Sequence, residues 1–117
     1  MANEITVQTY LTFLKNSVGI SRTYSKTLDV SGSEYISGTA SAATGGTSLP
    51  LGSVGTIGWV SILNTDATNF VTLGADGTNY PIKCNPGEPM LVRWNGSAVH
   101  VKADTLACIV EFAIIED

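Results

Sequence analysis

Few side chains in this sequence are suited to catalysis. The single histidine, His100, is the natural candidate for a general base, and Ser97 and Asp104 lie near it along the chain. Alternate residues of a strand point to opposite faces, so Ser97 and His100, three positions apart, are expected on opposite sides of a sheet. The sequence contains no G-x-S-x-G nucleophile elbow. We therefore predict no catalytic residue, with His100 a solvent-facing strand residue beside Lys102; a small enzyme that uses His100 is a rival hypothesis.

The acidic residues and the cysteines do not form the spacings of a metal site. Residues 64–68 place oxygen-bearing side chains two apart, as calcium loops do, but the complete D-x-[DN]-x-[DN]-G loop does not follow. We expect turn hydrogen bonding instead at the acidic residues in turn-like segments, which are Asp66, Asp76, Glu88 and Asp104. Cys84 and Cys108 form no CxxC pair. They are expected to be buried thiols, with a disulfide as the alternative, and the sequence predicts no metal and no cofactor.

The charge balance and the missing phosphate motifs argue against nucleotides and nucleic acids as ligands. Six cationic residues against ten acidic ones give a net charge of −4, which leaves too few cations to neutralise a run of phosphates. Neither a P-loop nor a GxGxxG sequence is present. The aromatic residues are compatible with a sugar-stacking platform, although aromatics at strand spacing more often fill a core or an interface. They are Trp59, Trp94, Tyr10, Tyr24, Tyr35 and Tyr80.

The elements that position these residues are predicted to be strands. Apolar and polar residues alternate over residues 4–14 and 20–30, and the second half contains several short apolar runs separated by turns. Asp76-Gly77 and Asn95-Gly96 are typical of hairpin turns. Eight or nine short strands with this spacing predict an all-β fold, a single antiparallel β-sandwich of jelly-roll-like type that spans residues 1–117 as one domain.

One segment, residues 31–56, departs from the alternating pattern. It is rich in glycine, alanine, serine and threonine, and Glu34 is its only charge. Ordering such a chain costs about 1–2 kcal/mol for each backbone residue, so we expect this extended segment to pack on the domain surface or on a neighbouring subunit. No apolar run is long enough to span a membrane and no signal peptide is visible. These features predict synthesis in a reducing cytoplasm.

Three blocks carry a resemblance to a known group of proteins. Residues 58–71 (GWVSILNTDATNFV) resemble a "G-(aromatic/V)-hydrophobic-x-N-x-D-x-T-N-(aromatic)-V" segment of small β-sandwich proteins from tailed bacteriophages. Residues 85–94 are similar to that group's "L-x-x-G-E-x-hydrophobic" turn and strand, and residues 100–108 to its "(R/H)-x-K-A-D-T-x-A" segment. The likeness covers residues 51–117, with a weaker match in residues 4–14. It implies a virion structural component made in the host cytoplasm, without fixing whether it belongs to the capsid, neck, tail or fibre.

A low-charge surface rich in small residues suits close packing against other proteins, because interface cores are depleted in charge. We therefore expect copies of the chain and other virion proteins as partners, in a symmetric homo-oligomeric assembly, with no nucleic acid and no membrane. A carbohydrate- or receptor-binding module on the virion surface is the alternative. The predicted protein-contact residues are Tyr10, Phe13, Tyr35, Ile36, Leu49 and Leu51.

Overall fold

The computed structural model describes residues 4–117, and all of its regular elements within that range are strands. In chain order they are β1 (Ile5–Lys15), β2 (Val18–Leu28), β3 (Tyr35–Ala42), β4 (Thr47–Ser48), β5 (Ile57–Asn64), β6 (Val71–Gly74), β7 (Ile82–Cys84), β8 (Pro89–Arg93), β9 (His100–Ala103) and β10 (Cys108–Glu116). Every strand pairing is antiparallel. The prediction of an all-β antiparallel fold is confirmed. The chain divides into two compact units, Met1–Ser31 and Gly32–Asp117, so the prediction of one domain over residues 1–117 stays a prediction.

The smaller unit contains a two-stranded antiparallel ribbon of β1 and β2, called the ribbon below. Its register runs without a slip from Ile5 opposite Leu28 to Lys15 opposite Val18. Asn16 and Ser17 form the connection with φ angles of 50° and 66°. Positive φ at both central residues is the geometry of a type I′ turn, whose twist matches that of the flanking strands.

The larger unit contains two four-stranded sheets, ordered β3-β10-β5-β8 and β4-β9-β6-β7. The pairings are nested along the chain: β3 pairs with β10, β4 with β9, β5 with β8, and β6 with β7. The innermost pair, β6 and β7, forms a hairpin around Asp76-Gly77, as predicted. The connection is longer than a tight turn, because it runs from residue 75 to residue 81, and of Asp76 and Gly77 only Gly77, with a φ of 73°, has a positive φ. The outermost pair joins strands that lie about seventy residues apart in the sequence.

One apolar core of the larger unit receives side chains from both sheets. Along β10, the core-facing residues alternate with exposed or half-buried ones, as expected for a strand with one buried face. They are Cys108, Val110, Phe112 and Ile114. Leu106, two residues before the strand, is exposed.

The small-residue segment 31–56 is built into the larger unit. It supplies β3 and β4, and Ala42, Leu49 and Val54 belong to the core. The sequence pattern did not predict these strands because β3 has no alternation of large apolar side chains. Its backbone is ordered instead by the ladder to β10, which runs from Ala42 opposite Cys108 to Tyr35 opposite Ile115.

The hairpin predicted at Asn95-Gly96 is wrong. The strands on either side of this turn, β8 and β9, belong to different sheets. Asn95-Gly96 therefore connects the two sheets. Gly96 has a φ of 158°, a conformation that favours glycine but differs from the left-handed geometry of a type I′ turn. At this point the chain passes from the sheet that contains β8 to the sheet that contains β9.

Candidate functional site

The structure does not assemble the residues considered for catalysis into a site. His100 is half-buried in β9, while Ser97 and Asp104 lie exposed in connecting segments. Within residues 4–117, no hydrogen bond joins His100 to either of them. The same residues contain no group of three or more His, Cys, Asp or Glu side chains placed to hold a metal ion. No helix capable of crossing a membrane occurs in the described chain.

The carboxylates of Asp66 and Asp76 accept hydrogen bonds from backbone, which confirms the prediction of turn hydrogen bonding for these two residues. Asp66 Oδ2 accepts hydrogen bonds from Asn69 N at 2.6 Å and Thr68 N at 3.0 Å. Asp76 Oδ1 accepts from Asn79 N at 2.8 Å and Thr78 N at 2.9 Å. Because these bonds favour the charged form, they lower the pKa of Asp66 and bring the pKa of Asp76 down to about 2. These oxygens are therefore used to close their own turns.

Glu116 fixes both ends of the small-residue segment. Its carboxylate accepts a hydrogen bond from Gly55 N at 2.6 Å and another from Ser33 N at 3.1 Å. The bond from Gly55 is the main reason that the pKa of Glu116 is lowered. A carboxylate near the C-terminal end of β10 thereby holds residues 33 and 55, which lie on either side of β3 and β4. In the sequence, Glu116 is visible only as one of two acidic residues that follow the last apolar run.

Both cysteines are buried free thiols, as predicted, and they form no disulfide with each other. Burial is the first cause that raises the pKa of each thiol. A protonated, buried thiol is a poor nucleophile. Cys84 and Cys108 therefore act as small apolar residues of the core.

One cleft has a volume of about 590 Å³, and an ion pair lies in it. Arg93 donates to Asp117 across 2.6 Å, and both side chains are nearly half exposed. Trp94 lines the cleft but is buried, and its indole N–H donates to Ala98 O at 2.9 Å. Trp59 is half-buried, with the Arg93 guanidinium 5.8 Å from its ring centre. Neither tryptophan presents the open ring that a sugar platform on these two residues requires.

The ribbon is the most exposed element that the structure describes. Every residue from position 8 to position 27 is exposed. These residues include large apolar side chains that water-soluble surfaces usually carry only singly. They are Tyr10, Leu11, Phe13, Leu14, Val18, Ile20 and Tyr24, with Tyr10 at 74% and Leu14 at 76% exposure.

The two faces of the ribbon differ in chemistry. Cross-strand partners share a face and successive residues alternate. One face, called the cationic face, combines apolar side chains with all three ribbon cations; it consists of the odd positions of β1 and the even positions of β2. The cations are Lys15, Arg22 and Lys26, and no acidic residue occurs between positions 5 and 28. The other face carries mainly threonine and serine, together with Tyr10 and Leu14.

A second exposed apolar surface lies on the larger unit. It is the side of the β3-β10-β5-β8 sheet that faces away from the core, called the outer face. Its large exposed side chains are Tyr35, Leu91 and Ile109, and Leu63 and Ala113 are half-buried on the same side. Glu111, between Ile109 and Ala113 on β10, is exposed. Among residues 4–117 it has no hydrogen-bond or ion-pair partner.

The structure separates the six predicted contact residues into three groups. Tyr10 and Phe13 lie on opposite faces of the ribbon, and Tyr35 lies on the outer face at 70% exposure. Ile36 and Leu51 are half-buried against the core. Leu49 is a core residue with 2% exposure, so its assignment as a contact residue is corrected: a leucine next to small residues was taken for a surface anchor and instead fills the interior.

Sequence reasoning missed the grouping of the ribbon cations and the position of Glu111. The alternation over residues 20–30 did place Arg22 and Lys26 on one side of a strand. That Lys15 joins them follows only from the register between β1 and β2. The exposure of Glu111 follows from the pairing of β10 with both β3 and β5, which connects residues far apart in the sequence.

Comparison of the chain with protein-family models, with curated proteins and with solved structures finds no match.

Proposed function

We propose that this protein is a structural component of a tailed-bacteriophage virion, a capsid decoration protein or a neck or tail protein, that acts by packing against its neighbours. The observation that carries the proposal is the ribbon, whose large apolar side chains are exposed on both strands. The resemblance of three sequence blocks in residues 58–108 to phage β-sandwich proteins supports the choice of a virion.

The ribbon supports a packing role because it gains little stability by itself. An isolated two-stranded hairpin is marginally stable in water, and three or more strands or a covering element are needed. Each ribbon strand has 11 residues, about twice the common strand length. A neighbouring protein that covers the ribbon supplies the missing burial.

The larger unit supports the same role as a rigid base. We interpret its nested pairings as a jelly-roll-like winding. In such a winding, two long antiparallel segments of the chain pair along their length and fold over together to give two sheets around one core. The proposed virion protein thus combines a two-sheet unit that has its own core with an exposed ribbon.

Mass spectrometry of gradient-purified particles from cells that produce this protein tests the proposal. We expect the chain to sediment with the particles and to remain bound after a wash in 1 M salt, because apolar packing is not screened by ions. Recovery of the chain only in the particle-free fractions contradicts the proposal.

The exposed tyrosine rings favour an alternative, a carbohydrate- or receptor-binding module on the virion surface. Tyr10, Tyr24 and Tyr35 are each more than 60% exposed, and such rings offer an apolar face together with a polar hydroxyl. Glycan-array binding by the purified protein that is lost in Tyr24→Ala, but kept in Thr23→Ala on the other ribbon face, supports this alternative. Absence of binding to any glycan contradicts its carbohydrate form.

A further inference from the structure

The exposed large apolar side chains of residues 4–117 are concentrated in two places. Seven of them lie on the ribbon. Of the remaining four, Tyr35, Leu91 and Ile109 lie on the outer face, and Leu106 lies two residues before β10, the strand that carries Ile109. Two exposed apolar surfaces on one chain are suited to cover each other in an assembly of copies.

The charges of the two surfaces are complementary. The cationic face carries Lys15, Arg22 and Lys26 with no acidic residue in the ribbon. The larger unit carries three cations against eight acidic residues, a net charge of −5. Glu111 is the acidic residue within the apolar part of the outer face, and no cation of residues 4–117 pairs with its side chain. Arg93, at the β8 edge of the same face, is already paired with Asp117 at 2.6 Å. A cationic apolar strip and an apolar surface with an unpaired carboxylate attract each other.

We propose that the ribbon of one copy packs with its cationic face on the outer face of the β3-β10-β5-β8 sheet of a second copy, and that the two copies exchange ribbons reciprocally. This inference rests on the proposed function, since it names the partner that covers the ribbon. The two copies form a two-fold symmetric pair in which each ribbon contacts Glu111 of the other copy.

The area of the ribbon explains why the exchange is reciprocal. The exposed part of the ribbon, residues 8–27, has about nine residues per strand, because Ile5 is buried and Val7 and Leu28 are half-buried on the cationic face. At about 3.3 Å per residue, and with two strands about 4.8 Å apart, the exposed face measures roughly 30 by 10 Å. Covering one such face removes about 600 Å² from the two partners together, which is below the 1,200–2,000 Å² of a stable interface. Reciprocal exchange buries about 1,200 Å², which is the lower end of that range.

Charge also argues against two ribbons that pack cationic face on cationic face. That arrangement sets six cations in one contact without an acidic residue from either ribbon. Like charges placed opposite each other cost several kcal/mol. The outer face of a second copy avoids this repulsion.

A charge-swap experiment tests the proposal with the full-length chain. Light scattering during size-exclusion chromatography at 100 μM and low salt is expected to give twice the chain mass for the wild type. Arg22→Glu and Glu111→Arg each place like charges in the contact, and each is expected to raise the dissociation constant about tenfold or more. An equal mixture of the two variants restores the pair, because both contacts of the mixed dimer again join opposite charges. Arg93→Glu, at the β8 edge of the same sheet face, makes the opposite change of charge. Because it adds negative charge to the face that meets the ribbon cations, we expect it not to weaken the pair.

The outcomes separate the pairing from the virion role. A wild-type monomer at 100 μM overturns the reciprocal exchange, while incorporation into particles is measured independently. A wild-type dimer that both single variants leave intact also overturns it. A third result is that each single variant weakens the dimer and the mixture does not restore it. In that case the ribbon does not lie opposite Glu111, and the proposed docking surface is overturned. Circular dichroism of each variant establishes that the strands are retained.

Discussion

Asn64 is the buried polar side chain of the core within the described residues. Its amide donates to Asn69 O at 3.0 Å and to Cys84 O at 3.2 Å, and its Oδ1 accepts from Asp66 N at 3.0 Å. One side chain thus satisfies three backbone groups at the end of β5, where the chain turns toward β6 and passes the end of β7. A buried polar group with all its partners in place fixes one arrangement of these turns.

We expect Asn64→Ala to destabilise the larger unit by about 3 kcal/mol or more, since each buried backbone group left without a partner costs about 1–3 kcal/mol. Urea denaturation followed by tryptophan fluorescence measures the change. Asn69→Ala is the matched control: the wild-type Asn69 contributes its backbone to this network, so its loss is expected to cost less. Equal losses for the two variants contradict the role given to the Asn64 side chain.

The turn carboxylates make stability fall in acid. The folded-state pKa of Asp76 is about 2, below the value of about 3.9 for an unfolded aspartate. A group with a depressed folded pKa contributes stability above its unfolded pKa and loses that contribution as the pH falls through its folded pKa. Asp66 and Glu116 act in the same direction. We therefore expect the thermal midpoint to be level from pH 7 to 5 and to fall between pH 4 and 2.

Asp76→Asn tests this assignment, because an amide does not titrate in that range. Its thermal midpoint is expected to fall less steeply between pH 4 and 2 than that of the wild type. A wild-type midpoint that rises on acidification contradicts the whole set of carboxylate assignments.

At the scale of elements, burial divides the strands into two classes. Leu73 in β6 is fully buried in the core, whereas Leu11 in β1 is 60% exposed. We expect Leu73→Ala to cost about 2–5 kcal/mol through lost burial and a cavity. Leu11→Ala is expected to stay within about 0.5 kcal/mol for the isolated chain. Urea titration under conditions that keep the chain monomeric measures both, and a large cost at Leu11 contradicts its assignment to a free surface.

Sequence reasoning found the strands whose side chains alternate and missed those ordered by distant partners. The alternation in residues 4–14 and 20–30 predicted both ribbon strands, because every second side chain there differs in polarity. β3 has only small residues between Tyr35-Ile36 and its end, and its pairing with β10 spans most of the chain. Asn95-Gly96 has hairpin composition, yet the sheets to which β8 and β9 belong decide its role. Local patterns report a residue's neighbours along the chain and not the strand that pairs with it.

The candidate site was predictable in part for the same reason. The low charge of the chain predicts that its large apolar residues serve as interface anchors. Tyr10, Phe13 and Tyr35 are exposed, as a contact surface requires. Leu49 was misplaced because its burial depends on β4 pairing with β9. The unpaired Glu111 required knowledge of which side of β10 faces the core.

At the scale of the whole molecule, the proposed function gives the two units different roles. In this proposal the unit of two sheets maintains shape, and the ribbon offers apolar surface and positive charge to a neighbour. Interactions of this kind gain strength by repetition in a symmetric assembly, because each added contact is made at high effective concentration. We therefore expect the ribbon to decide whether the chain enters a particle.

The number of copies per particle, measured by quantitative mass spectrometry for two ribbon variants, tests this claim most directly. Leu11→Asp with Phe13→Asp changes the cationic face, and Ser21→Asp with Thr23→Asp adds the same two charges, at the same spacing along one strand, to the opposite face of the ribbon. We predict that the first pair reduces the copy number at least tenfold and that the second leaves it within about twofold of the wild type. Equal copy numbers for both double variants and the wild type contradict the role given to the ribbon.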